Sequence, residues 1–77
     1  GPKAVSEKVT NNKGDAVIGA AILVKGTTVG TSSGVDGVYT LRIPEVNANT
    51  MITVNYLGYE PIELLVGTRG RIDIVLQ

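Results

Sequence analysis

Gly26-Thr27-Thr28-Val29-Gly30-Thr31-Ser32-Ser33-Gly34-Val35-Asp36-Gly37-Val38-Tyr39-Thr40-Leu41 says more about the fold class of this 77-residue chain than any other segment. Its first half is broken up by glycine and hydroxyl residues, and its second half alternates. Asp36-Gly37 is strong turn chemistry, because glycine takes positive φ without a Cβ penalty. Beyond it, Tyr39, Leu41 and Ile43 fall on one face of an extended segment, and Val38, Thr40 and Arg42 on the other. The stretch reads as a β-hairpin in a small all-β domain.

On either side of it, turn residues recur at short, regular intervals. Asn11-Asn12-Lys13-Gly14-Asp15 is a turn, residues 44–49 a loop, Leu57-Gly58 a tight turn, and residues 67–70 another turn. The segments between them are too short for helices and none carries a helical stripe. Seven strands are expected, at 4–10, 20–25, 28–33, 38–43, 51–56, 60–66 and 71–76. Alternation points Val5 and Val9 inward, then Ala20, Ile22 and Val24, then Ile52, Val54 and Tyr56. It does the same for Ile62, Leu64 and Val66, and for Ile72, Ile74 and Leu76. Residues 28–33 are polar and read as an edge strand. Seven short strands with turns every eight to twelve residues predict a seven-stranded, mostly antiparallel Greek-key β-sandwich.

The composition suits that architecture. There is no Cys, His, Trp or Phe, so the core is left to Val, Ile, Leu, Ala and three Tyr. β-Branched side chains fit a pleated, half-buried surface. Seven basic and seven acidic residues cancel and are scattered along the chain. That argues against a nucleic-acid surface and against an anionic membrane patch. No apolar run approaches the roughly 20 residues that span a bilayer as a helix. Gly1-Pro2 is expected to be the remnant left by a tag-removing protease, with residues 3–77 forming the domain.

The residue types exclude most site chemistry. Nucleophilic catalysis by a Ser-His or Cys-His pair needs residues that are absent, and so does an ordinary zinc site. Asp15 and Asp36 each adjoin a glycine in a turn, where Asp bonds its own backbone more readily than it joins a calcium shell. Residues 26–37 do not make a phosphate loop, because a strand follows instead of a helix N-terminus. No catalytic, cofactor-binding or metal-binding residue is assigned, and no cofactor is expected.

Further positions need a reading. Glu7 shares the inward face of Val5 and Val9. Either the strand is bulged or at an edge there, or the carboxylate reaches solvent or a hydrogen-bonding partner, since a buried unpaired carboxylate is too costly. Lys8 and Asp73 lie in the first and last strands, the arrangement that some pilin-type sandwiches cross-link as an isopeptide. Both point outward by parity, and that chemistry needs a desolvated lysine. Tyr56 and Tyr59 flank Leu57-Gly58. Exposed tyrosines stack on sugar rings or anchor partners; the plainer reading puts Tyr56 in the core and Tyr59 at the sandwich end with its hydroxyl bonded to backbone.

Several blocks together resemble a known family. Ala4-Val5-Ser6-Glu7-Lys8-Val9-Thr10 is similar to its opening strand. Ile18-Gly19-Ala20-Ala21-Ile22-Leu23-Val24-Lys25-Gly26-Thr27-Thr28-Val29-Gly30-Thr31 resembles its most distinctive block. Asp36-Gly37-Val38-Tyr39-Thr40-Leu41 looks like its hairpin and following strand, and Val54-Asn55-Tyr56-Leu57-Gly58-Tyr59 like its second signature. Ile72-Asp73-Ile74-Val75-Leu76 fits its last strand. The family is the carboxypeptidase-D regulatory-like domain, a transthyretin-like β-sandwich. The version here resembles the N-terminal extension of SusC/RagA-type TonB-dependent outer-membrane transporters. Two positions depart from the pattern: the family usually has Gly where this chain has Glu7, and an Asp near Gly34.

The resemblance implies a non-catalytic accessory domain on the periplasmic side of the outer membrane, part of a larger exported protein that takes up glycans or other nutrients. Its implied partners are proteins: the plug and barrel of the parent transporter, or the periplasmic energy-coupling machinery. It implies no nucleic acid and no direct membrane insertion, and the isolated domain is expected to be a monomer. The partner-binding surface is not located by the resemblance, although the polar edge at 28–33 is open to β-augmentation. The alternative is a carbohydrate-binding or spacer β-sandwich of an exported hydrolase or peptidase.

Overall fold

A computed structural model describes all residues, Gly1–Gln77. The strands are β1 Lys3–Asn11, β2 Ala21–Val24, β3 Gly30–Ser32, β4 Val38–Ile43, β5 Met51–Asn55, β6 Ile62–Leu65 and β7 Ile74–Leu76, and the one helical element is a single 3-10 turn, Val35–Gly37. They form an all-β, transthyretin-like sandwich of two sheets, one ordered β4-β1-β7 and the other β3-β2-β5-β6. Every pairing is antiparallel except β1 with β7, which is parallel. The core between the sheets is the alternating set expected from the sequence, with Val5, Val9, Ile22, Leu41, Ile52, Val54, Ile74 and Leu76 at 1% exposure or less. Ile62 and Leu64 face the same way but are half-buried, because β6 is an edge strand.

The Gly26–Leu41 stretch turns out to hold a crossover rather than a hairpin at Asp36-Gly37. β3 pairs with β2, and β4 pairs with β1 in the other sheet. The true hairpin is β2–β3. There the Thr27 N–H and hydroxyl both donate to the Val24 carbonyl, and the Val24 N–H donates to Val29 O. The turn chemistry at Asp36-Gly37 is real but serves to change sheets. Asp36 sits at φ 65° and Gly37 at φ 76°. The Gly37 N–H donates to Gly34 O, and the Gly34 N–H to Val38 O. This tight loop delivers the chain onto the β1 edge.

Ser33 is the buried polar residue of the sandwich. Its hydroxyl accepts from the Ala20 N–H at 2.9 Å and donates to the Val17 carbonyl at 2.7 Å. Both backbone groups belong to the loop before β2, so one hydroxyl satisfies two groups that water cannot reach. The sequence placed Ser33 at the end of a polar edge and gave no sign of this role.

Glu7 is neither on an edge nor in a bulge. β1 is the central strand of its sheet, and its ladder with β4 runs without an inserted residue through Glu7↔Tyr39. The strand instead twists there: Glu7 adopts φ 151° and is half-buried, which takes its carboxylate toward solvent. That backbone region is comfortable for glycine and strained for a residue with a Cβ, at roughly 1–3 kcal/mol. Glycine gives back about 0.5–1 kcal/mol in chain entropy. Glu7→Gly is therefore expected to stabilise the domain by about 1 kcal/mol, read as a higher urea midpoint with an unchanged m-value. A lower midpoint would show that the carboxylate contributes more than the strain it imposes.

Opposite Glu7, Tyr39 is buried and its hydroxyl donates to the Ile72 carbonyl at 2.5 Å, joining β4 to the segment before β7. Burial, then the carboxylates of Asp73 and Glu7, push its pKa up from 10.0 to about 12, against a smaller opposite pull from Arg69. The neutral phenol is thus favoured in the folded state. Below pH 10 the phenol is protonated in both states and its contribution is whole. From pH 10 to about 12 the unfolded chain ionises first, so stability falls as pH rises, by on the order of 2 kcal/mol in all. In Tyr39→Phe this part of the alkaline loss is expected to vanish. The measurement is the difference in unfolding free energy between the two proteins from about pH 9 to about pH 12. A constant difference across that range would contradict it.

Candidate interaction surface

The loop after β5 is built by a glycine turn. The Tyr59 N–H donates to the Tyr56 carbonyl at 3.1 Å, and Gly58, third of the four residues, lies at φ 92°. That is the position at which a type II turn requires positive φ. The turn sends Leu57 outward, 96% exposed. The rings of Tyr56 and Tyr59 face each other with centroids 6.0 Å apart and planes tilted by 38°. Tyr59 is half-buried against the core, in keeping with the plainer reading of the pair. Its hydroxyl, however, makes no backbone bond; the buried tyrosine hydroxyl belongs to Tyr39.

Tyr56 corrects the sequence reading. It was expected in the core and is exposed. Strand β5 ends at Asn55, so the alternation that buries Ile52 and Val54 stops one residue before Tyr56. Gly19, Asn55, Tyr56, Leu57, Gly58 and Tyr59 line an open depression of ≈ 560 Å³. Gly19 brings no side chain to cover the ring there. Ile18 and Val35 are exposed at the same end of the sandwich, at 58% and 77%. The loops carrying them are held together by the Gly19 N–H bond to Ser33 O at 2.7 Å.

No arrangement for catalysis accompanies this surface. No group of three or more carboxylate, His or Cys side chains is placed to share a metal ion. Asp15 and Asp36 are exposed in their turns. Lys8 and Asp73 fall side by side at the offset set by Ser6↔Arg71 and Val9↔Ile74, and both side chains lie toward solvent as parity predicts. The edge strand expected at 28–33 is reduced to Gly30–Ser32, three residues, which is a poor template for a partner strand. Apolar and aromatic side chains displayed on a rigid turn are suited to contact with another polypeptide.

The model of the CarboxypepD_reg-like domain matches residues 5–77. The chain belongs to that family. It is a non-catalytic domain type. Among characterised proteins, the domain is 40% identical over 65 residues to the TonB-dependent receptor P26 of Formosa agariphila and 41% identical over 76 residues to receptor P3 of the same organism. It is 39% identical over 69 residues to the TonB-dependent receptor SusC of Bacteroides thetaiotaomicron. These alignments cover 84%, 97% and 90% of this chain but only 6%, 7% and 6% of the receptors. The domain thus spans a small fraction of the length of the relatives it matches.

Proposed function

We propose that this domain, residues 3–77 without the Gly1-Pro2 remnant, is a periplasmic accessory module of a SusC-like TonB-dependent receptor in the outer membrane. On this reading it contributes to glycan or nutrient uptake through contacts with protein, either the receptor's own plug and barrel or the energy-coupling machinery. The observation that carries the reading is 39–41% identity to three TonB-dependent receptors across 84–97% of the chain. The surface supports it. The charges are balanced and scattered, so no anion cradle is offered. The exposed apolar side chains gather at one end, as contact surfaces do.

The test is deletion of residues 3–77 from the full-length receptor. The expected result is a barrel inserted at normal abundance with substrate import clearly reduced. Unchanged import would refute an active role. Failure of the barrel to accumulate would move the role to biogenesis.

One observation favours a second reading, in which the domain holds a carbohydrate directly: Tyr56 presents an exposed ring beside the Asn55 amide. The 38° tilt between the rings and the partial burial of Tyr59 leave no flat double platform for a sugar. Oligosaccharide binding to the isolated domain at millimolar or tighter affinity, lost in Tyr56→Ala, would favour this reading over the first.

A further inference from the structure

The two ends of the sandwich differ in chemistry. Gly1 lies at one end, where its carbonyl accepts from the Val46 N–H, near the loop that carries Glu45, Asn47 and Asn49. Gln77 lies at the other, because β7 runs parallel to β1 and finishes at Leu76↔Asn11. Its carbonyl accepts from the Glu60 N–H at 3.1 Å, which pins it to the loop that carries Tyr56 and Leu57. Of the seven large apolar side chains that stand exposed, Ile18, Val35, Tyr56 and Leu57 are on loops at this second end. Val38 and Val75 sit in β4 and β7 within a few residues of it, and only Leu65 lies toward the first end. Exposed apolar side chains scattered singly need no explanation; gathered at one end they mark a contact surface.

We infer that the Ile18–Tyr56–Leu57 end is the docking surface for the polypeptide that continues past Gln77 in the longer receptor. This rests on the reading of the domain as a receptor module, and it adds the surface and its occupant. Three observations select that occupant. The continuing chain leaves beside the surface, held there by the Glu60–Gln77 bond. The relatives are more than ten times longer than the matched segment, so such a receptor holds ample polypeptide outside it. The patch is also small. A stable complex of separate proteins buries roughly 800 Å² on each partner, about a sixth of the 4647 Å² this domain exposes, and a few loop side chains fall short of that. A tethered segment meets the surface at an effective concentration of about a millimolar, so weak contacts suffice to hold it.

The experiment uses the absence of cysteine from these 77 residues. Ile18→Cys places a thiol beside the groove, and Ala48→Cys places a control thiol in the exposed loop at the opposite end. Each is labelled with a water-soluble maleimide in the 77-residue domain and in the full-length receptor, and the modified peptide is quantified by mass spectrometry. Labelling of the Ile18→Cys thiol is expected to be about tenfold slower in the receptor, as millimolar effective concentration against a Kd of roughly 0.1 mM implies, while the control is unchanged. Adding Leu57→Asp, an exposed position that the fold tolerates, is expected to restore the fast rate. Equal rates in domain and receptor, or protection that survives Leu57→Asp, would overturn the proposal. So would protection in the isolated domain that grows with its concentration, since the occupant would then be a second copy. If import is unaffected by deleting residues 3–77 while the Ile18→Cys thiol is protected, the docking stands and the functional reading falls.

Discussion

Gly37→Ala is expected to destabilise the domain by about 2–5 kcal/mol, a large part of the stability of a chain this size. Two costs combine. The residue sits at φ 76°, where a side chain adds roughly 1–2 kcal/mol. A Cβ there would also lie 2.5 Å from the Val9 carbonyl oxygen, with the Ala16 Cβ and the Val17 nitrogen each 3.3 Å away. The first of these atoms is backbone of the central strand, so it cannot swing aside. Relieving the overlap means moving β1 or the crossover, and overpacking of this kind costs about 1–3 kcal/mol more. Gly58→Ala is the control: Gly58 is at φ 92° with nothing within 4 Å of an added Cβ, so only the backbone cost of about 1–2 kcal/mol applies. Urea denaturation of the two variants measures both. Equal losses would show that the crossover yields to the added methyl.

Leu41→Ala is expected to cost roughly 2–5 kcal/mol. Leu41 is 1% exposed, in the middle of β4 and paired with Val5 of β1. Truncation removes transfer free energy and leaves a cavity between two sheets whose strands are tied by their own ladders, so the site cannot collapse fully. Denaturant unfolding gives the value directly. A loss below about 0.5 kcal/mol would mean that Leu41 does not face the core and that β4 is displaced by one residue.

Ordering the seven strands along the chain needed only local information. Alternation with period two fixed which side chains face inward, and the cluster of buried Val, Ile and Leu follows it closely. The block from Ile18 to Thr31, together with Val54 to Tyr59, carried the family resemblance that the match over residues 5–77 bears out. The Tyr56-Leu57-Gly58-Tyr59 turn was visible as turn chemistry, but not as the centre of a surface. Leu57 is an apolar residue placed where the turn must project it, and that is the signal by which it was open to detection.

Composition and local pattern thus set the all-β class, the succession of strands and the family, because each of these is written in residues close together along the chain. Partnership is not. Alternation states a face but not a neighbour, so it could not reveal that β3 and β4 belong to different sheets or that β7 pairs in parallel with β1. Those choices depend on segments tens of residues apart. Tyr56 was expected inward and stands exposed, because alternation buries a side chain only where the strand and the opposing layer extend to it. Ser33 gained its role by meeting Val17 and Ala20 across a loop, and Glu7 was turned toward solvent by a backbone twist opposite Tyr39. The arrangement of both sheets, and the apolar end beside Gln77, came only from long-range pairing, which no local pattern of residues encodes.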